Sequence, residues 1–151
     1  MKALAKGLMT VALLAAATAC DGSPTAGSAF VSESDGISMA KQSRLTFSST
    51  QSYETATPQT ATGGAGGIDF TGSLTTGTPC VSVAATHSAG SNAVTVTVTG
   101  TSTGDFCTQV ITNNNYTGRV SGLAAGAYTF TVVHQAGGGS STAYTGVVAV
   151  Q

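Results

Sequence analysis

Between residues 94 and 99 the chain reads Val-Thr-Val-Thr-Val-Thr, and this alternation constrains the fold more than any other feature. A period of two puts every valine on one face of a strand and every threonine on the other. Both residue types are branched at Cβ, stiff at the first side-chain torsion, and suited to a pleated surface. The same period recurs on either side. Ile68, Phe70 and Leu74 alternate with Asp69, Thr71 and Ser73, and Val81, Val83 and Ala85 alternate with Ser82 and Thr86. Further along come Phe106, Thr108 and Val110, then residues 116–121, then Tyr128, Phe130 and Val132 against Thr129 and Thr131, and last residues 144–150. That pattern predicts seven strands, and no segment carries a helical period.

The breaks between these runs have turn chemistry. They are Gly77-Thr78-Pro79, residues 88–92, residues 100–104, Asn113-Asn114-Asn115, Ala124-Ala125-Gly126 and Gly137-Gly138-Gly139-Ser140. Glycine supplies positive φ there, and asparagine tolerates it while bonding its own backbone. Short strands spaced by roughly ten residues predict an all-β, antiparallel seven-stranded sandwich over residues 66–151. Upstream, residues 20–65 are mostly Ser, Thr, Gly, Ala and Gln, with Phe30, Ile37, Leu45, Phe47 and Tyr53 as scattered exceptions. A stretch of that composition buries too little to offset its ordering entropy and reads as a flexible tether, with one short strand over residues 44–49 left open.

The segment Leu123-Ala124-Ala125-Gly126-Ala127-Tyr128-Thr129-Phe130-Thr131-Val132 resembles the turn-and-strand motif of fibronectin type III and other bacterial Ig-like domains. The resemblance implies an Ig-like sandwich in which Tyr128 forms a corner, its hydroxyl bonding to backbone upstream while the ring packs inside. The chain has no tryptophan, so it departs from antibody-type domains.

At the other end, Lys2 and Lys6 precede an uncharged apolar stretch from Leu8 to about Ala16. That is short of the roughly 20 residues a spanning helix needs, and it reads as an export signal over residues 1–19. Ala17-Thr18-Ala19-Cys20 resembles the lipobox of bacterial lipoproteins. The resemblance implies cleavage before Cys20, acylation of its sulfur, and attachment to membrane lipid in the cell envelope. Asp21 resembles the signal that keeps enteric lipoproteins on the periplasmic face of the inner membrane; the outer membrane is the alternative address. The bland reading is an ordinary secretory signal with Cys20 a spare thiol.

With Cys20 assigned to lipid, Cys80 and Cys107 remain, and an exported chain favours a disulfide between them. Closing that loop would contribute about 3 to 4 kcal/mol. The alternative, a redox dithiol, is usually a C-x-x-C at a helix start, which this pair is not.

Residues 20–151 hold Lys41, Arg44 and Arg119 against Asp21, Glu33, Asp35, Glu54, Asp69 and Asp105. No basic patch exists for nucleic acid, whose phosphates need neutralising by Lys and Arg. A cupredoxin copper site fails, because Cys107 has no His or Met in the ten residues that follow. His87 is expected in a turn and His134 at the rim of a strand end, and two histidines fall short of a zinc site. No G-x-S-x-G elbow appears, and Asp69 and Asp105 could pair only if folded together. The sequon Asn115-Tyr116-Thr117 reads as a turn. No cofactor is expected, and an enzyme or metal carrier is the weakest reading. The leading one is an anchored Ig-like module that binds an envelope protein or glycan, with Tyr116 and Tyr144 as candidates for its surface. A structural envelope lipoprotein without a specific ligand is the alternative.

Overall fold

A computed structural model describes residues 42–104 and 106–151. The expected signal segment over residues 1–19, Cys20, the part of the expected tether up to Lys41, and Asp105 lie outside the described residues. The rest is all-β. Eight strands run β1 Arg44–Ser52, β2 Thr60–Gly64, β3 Gly67–Thr76, β4 Val81–Ala89, β5 Ala93–Ser102, β6 Thr112–Ser121, β7 Gly126–Ala136 and β8 Gly139–Val150. They form two four-stranded sheets, β1-β6-β3-β2 and β4-β5-β7-β8, stacked as a β-sandwich.

Several expectations need correction. There are eight strands rather than seven, because residues 42–65, expected as tether, carry β1 and β2. Residues 106–110, expected as a strand, are irregular. The sandwich is not wholly antiparallel either, since β5 and β7 run parallel from Ala93↔Thr129 to Gly100↔Ala136. Parallel neighbours need a long connection, and here β6, in the other sheet, supplies it.

The core follows the period-two rows. Ile68, Phe70 and Leu74 of β3, with Tyr116 and Val120 of β6, face Val94, Val96 and Val98 of β5 and Tyr128, Phe130 and Val132 of β7. Each fully buried valine stabilises the fold by about 1.5 to 3 kcal/mol relative to an exposed one. Leu45 and Phe47 of β1 pack against this core from its side, which is why the residues around them are strand. Phe47 lies 5.7 Å from the Tyr116 ring, centroid to centroid. The hairpin between β7 and β8 turns on Gly137 and Gly138, at φ 57° and 78°. Two consecutive positive φ angles make the tight turn whose twist matches its flanking strands.

The two lateral seams of the sandwich differ. Where β2 meets β8 the main chains are joined: Gln151 N–H donates to Gly64 O at 3.1 Å and Gly66 N–H to Gln151 O at 2.8 Å. Where β1 meets β4 the described residues show no main-chain to main-chain bond; side chains reach across at the two ends of the seam, and Gln51 Nε2 also donates to Val81 O at 3.4 Å. Ser43 Oγ lies 3.1 Å from His87 Nε2, and Gln51 Nε2 donates to Pro79 O at 2.6 Å.

Candidate functional site

The chain enters β1 at one end of the sandwich, and four connections gather at the opposite end: residues 53–59, 77–80, 103–111 and 137–138. Two of these, 77–80 and 103–111, carry the chain from one sheet to the other. The disulfide Cys80–Cys107, with a Cα separation of 6.0 Å, ties them together. Thr103 N–H also donates to Cys80 O at 3.0 Å. The cysteines thus brace loops rather than strands.

The braced 103–111 loop and the 53–59 loop at the same end carry four of the five large exposed apolar side chains among the described residues. Phe106 is 98% exposed, Ile111 70%, Tyr53 62% and Val110 40%. The fifth large exposed apolar side chain, Val147, stands alone on the outer face of β8. Ser52 pairs with Asn113, so Tyr53 leaves β1 beside the residues that lead into β6. Exposed apolar side chains on the loops of one end, where the described strands otherwise turn mostly Thr and Ser outward, are the feature that marks a contact surface. The 53–59 loop is held from beneath by Asn115, whose Oδ1 accepts from Thr57 N–H at 2.8 Å and whose Nδ2 donates to Thr55 O at 2.9 Å.

Below this rim lies a half-buried polar network at the edge of the core. The Tyr116 hydroxyl donates to Gln59 Oε1 at 2.8 Å and lies 2.8 Å from His134 Nε2. Gln59 Nε2 in turn donates to Ser73 O at 3.2 Å. Glycine at 72 makes the arrangement possible: a Cβ there would sit 2.0 Å from Gln59 Oε1 and 2.5 Å from the Tyr116 hydroxyl oxygen. Burial pushes the Tyr116 hydroxyl up from 10.0 to about 12, against a smaller pull downward from Gln59. Burial also pushes His134 below its ordinary 6.5. Both shifts favour the neutral forms, which is what a low-dielectric site imposes. Asn114, also buried, is satisfied by Leu74 O at 3.0 Å and Thr76 Oγ1 at 3.1 Å.

No family model matches the chain, and no curated protein or solved structure matches it.

The residues singled out in the sequence fall into separate places. Tyr128 Oη donates to Ala124 O at 3.1 Å, four residues upstream, with the ring buried. Tyr116 is buried and Tyr144 packs against the core, so neither belongs to the exposed surface. The surface residues are instead Tyr53, Phe106, Val110 and Ile111. His87 lies within β4 rather than in a turn. Asp69 pairs with Arg119 directly across β3 and β6; exposed as it is, that pair contributes less than about 1 kcal/mol. Asp105, its suggested carboxylate partner, lies outside the described residues. Asn115 of the sequon is in mid-strand with both side-chain atoms engaged, and Tyr116 beside it is buried. Among the described residues no three His, Cys, Asp or Glu gather as a metal site would require.

The exposed cluster was hidden for two reasons. Phe106 and Val110 keep strand parity, which suggested a buried row, and Tyr53 sat in apparent tether. The usable signal was Cys107 between them, since a disulfide fixes a loop as readily as a strand.

Proposed function

We propose that the protein is a bacterial envelope lipoprotein, anchored through acylated Cys20, whose Ig-like sandwich presents a disulfide-braced loop surface to an envelope protein. The observation that carries this reading is the placement of Tyr53, Phe106, Val110 and Ile111 together at the end away from chain entry. An anchor at Cys20 pulls on the domain through Gln42, so the opposite end is the one left free to meet a partner.

The Tyr128 to Ala124 hydrogen bond supports the Ig-like assignment, as the corner geometry matches what the motif implies. The eighth strand and the parallel β5/β7 pair make it a variant of that architecture. Stiff aromatic and branched side chains on a braced loop lose little freedom on docking, which favours binding by loop contact.

The test is in-cell photocrosslinking from position 106 of the full-length chain, followed by mass spectrometry, with Cys20→Ala as the unanchored control. One dominant protein partner, lost when Ile111 is changed to Ser, supports the reading. Capture of only abundant envelope proteins, indifferent to Ile111→Ser, favours a structural role; crosslinks to glycan alone replace the protein partner with a carbohydrate.

A further inference from the structure

Independently of the loop surface, the open seam of the sandwich has the makings of a second site. β1 and β4 are the free edges of their sheets on that side, so each has a row of main-chain N–H and C=O groups without a strand partner. Between them runs a groove of about 750 Å³. Its floor is apolar, made by Leu45 and Phe47 of β1 and Val83 and Ala85 of β4, all half-buried against the core. The Ser43–His87 bridge lies at one end of the groove, and the Gln51 contacts to Pro79 O and Val81 O lie further along the seam, beyond its lining.

Sandwich proteins normally blunt such edges with charge, proline, bulges or brevity. The β2 edge is five residues long and lies beside the joined seam. β4 has none of these devices. It is nine residues, Val-Ser-Val-Ala-Ala-Thr-His-Ser-Ala, without Lys, Arg, Asp, Glu or Pro, and its pairing with β5 is regular from Val81↔Ser102 to Ala89↔Val94. Five consecutive residues of it, 83–87, line the groove. Its sole charged neighbour in the lining is Arg44, exposed at the Ser43–His87 mouth.

We propose that this seam accepts an extended peptide segment of another protein, which adds as a fifth strand to the free edge of β4. The main-chain ladder supplies the attachment, and every second side chain of the segment settles on Leu45, Phe47, Val83 and Ala85. The fitting segment is therefore apolar at alternate positions, free of proline, and acidic at the end that lies against Arg44. Charge decides that last point, since the lining offers the Arg44 guanidinium and no acid.

The experiment selects a phage-displayed library of random nine-residue peptides on the mature chain, then measures the enriched peptides by fluorescence anisotropy. Expected are sequences apolar at every second position with Asp or Glu at one end. Ala85→Arg, which fills the floor, should weaken them at least tenfold, and Arg44→Glu should reverse the terminal charge preference. Phe106→Ser, at the far loops, should leave them unchanged. Failure to enrich any period-two sequence, or binding that survives Ala85→Arg, overturns the proposal. Sedimentation showing a dimer that Ala85→Arg dissolves would also overturn it, by giving the groove to a second copy of the chain. None of these outcomes depends on whether the Phe106 surface finds its own partner.

Discussion

Tyr116 of β6 and His134 of β7 meet across the sandwich, hydroxyl to Nε2 at 2.8 Å, with their rings near perpendicular at 85°. The contact joins the two sheets through groups that burial keeps neutral. It also makes the fold sensitive to pH in two windows. His134 titrates below 6.5 in the folded state, so its unfolded form takes up a proton first; stability is fully present above 6.5 and falls as the pH drops below it. Tyr116 titrates at about 12 when folded against 10.0 when unfolded, so stability is present below 10 and falls as the pH rises toward 12. Urea midpoints across pH 5 to 11 should trace a plateau with both shoulders. His134→Gln should flatten the acid shoulder alone, and an unchanged acid shoulder in that variant would place the titration elsewhere.

Tyr116→Phe removes the hydroxyl shared by Gln59 and His134. Gln59 and His134 are half-buried and partly reached by water, so the loss costs about 1 kcal/mol. Gly72→Ala attacks the same network from the backbone side, since its Cβ would occupy the place of Gln59 Oε1. The two changes share one cause, so the double variant should lose clearly less stability than the sum of the singles in chemical denaturation.

Reducing the disulfide, or replacing Cys80 and Cys107 with Ser, should lower unfolding free energy by about 3 to 4 kcal/mol for a loop separated by 27 residues. The change should fall on the two inter-sheet connections first. Hydrogen exchange of residues 103–111 should accelerate before that of β5 and β7, and uniform acceleration would show that the brace acts on the whole domain.

Phe106→Ser and Ile111→Ser should each leave stability within about 0.5 kcal/mol, because both side chains are exposed. A fall of several kcal/mol in urea unfolding would mean that these residues serve packing instead of contact.

A chain beginning at Gly66 should fail to fold, although the strongest strand signals all lie beyond that point. β1 pairs with β6 along its whole length and β2 with β3, so removing them exposes the Tyr116 and Phe70 rings. Circular dichroism and two-dimensional NMR of the truncated chain check this directly.

Sequence periodicity found β3, β4, β5, β7, β8 and the second half of β6, because in those strands one face is apolar. It missed the first half of β6, where the inward residues are Thr112 and Asn114 and the amide of Asn114 is satisfied by β3. Three consecutive asparagines therefore read as a turn. β2 was invisible for a different reason: its inward positions are Ala61 and Gly63, and a Cβ at 63 would lie 1.8 Å from Ala149 O. Close main-chain approach leaves no hydrophobic signature. β1 offered only Leu45 and Phe47 before turning polar at its exposed end, as an edge strand does. Residues 106–110 gave the opposite error, since alternation describes side chains and says nothing of whether a neighbouring strand is there to pair with. The candidate surface was accordingly the least legible part of the molecule.

The register of β1 on β6 bears on how the molecule would carry load. A pull on Gln42 enters β1 at Arg44, while a pull on Ile111 enters β6 at Thr112, and these points lie at opposite ends of one ladder running from Arg44↔Ser121 to Ser52↔Asn113. Tension between an anchored tail and a gripped loop tip would run along the strands, loading all nine residue pairs together instead of peeling them apart in turn. The domain is strung so that being stretched between two attachments sets its longest uninterrupted contact with the N-terminal strand in shear, the direction in which a hydrogen-bonded ladder resists most.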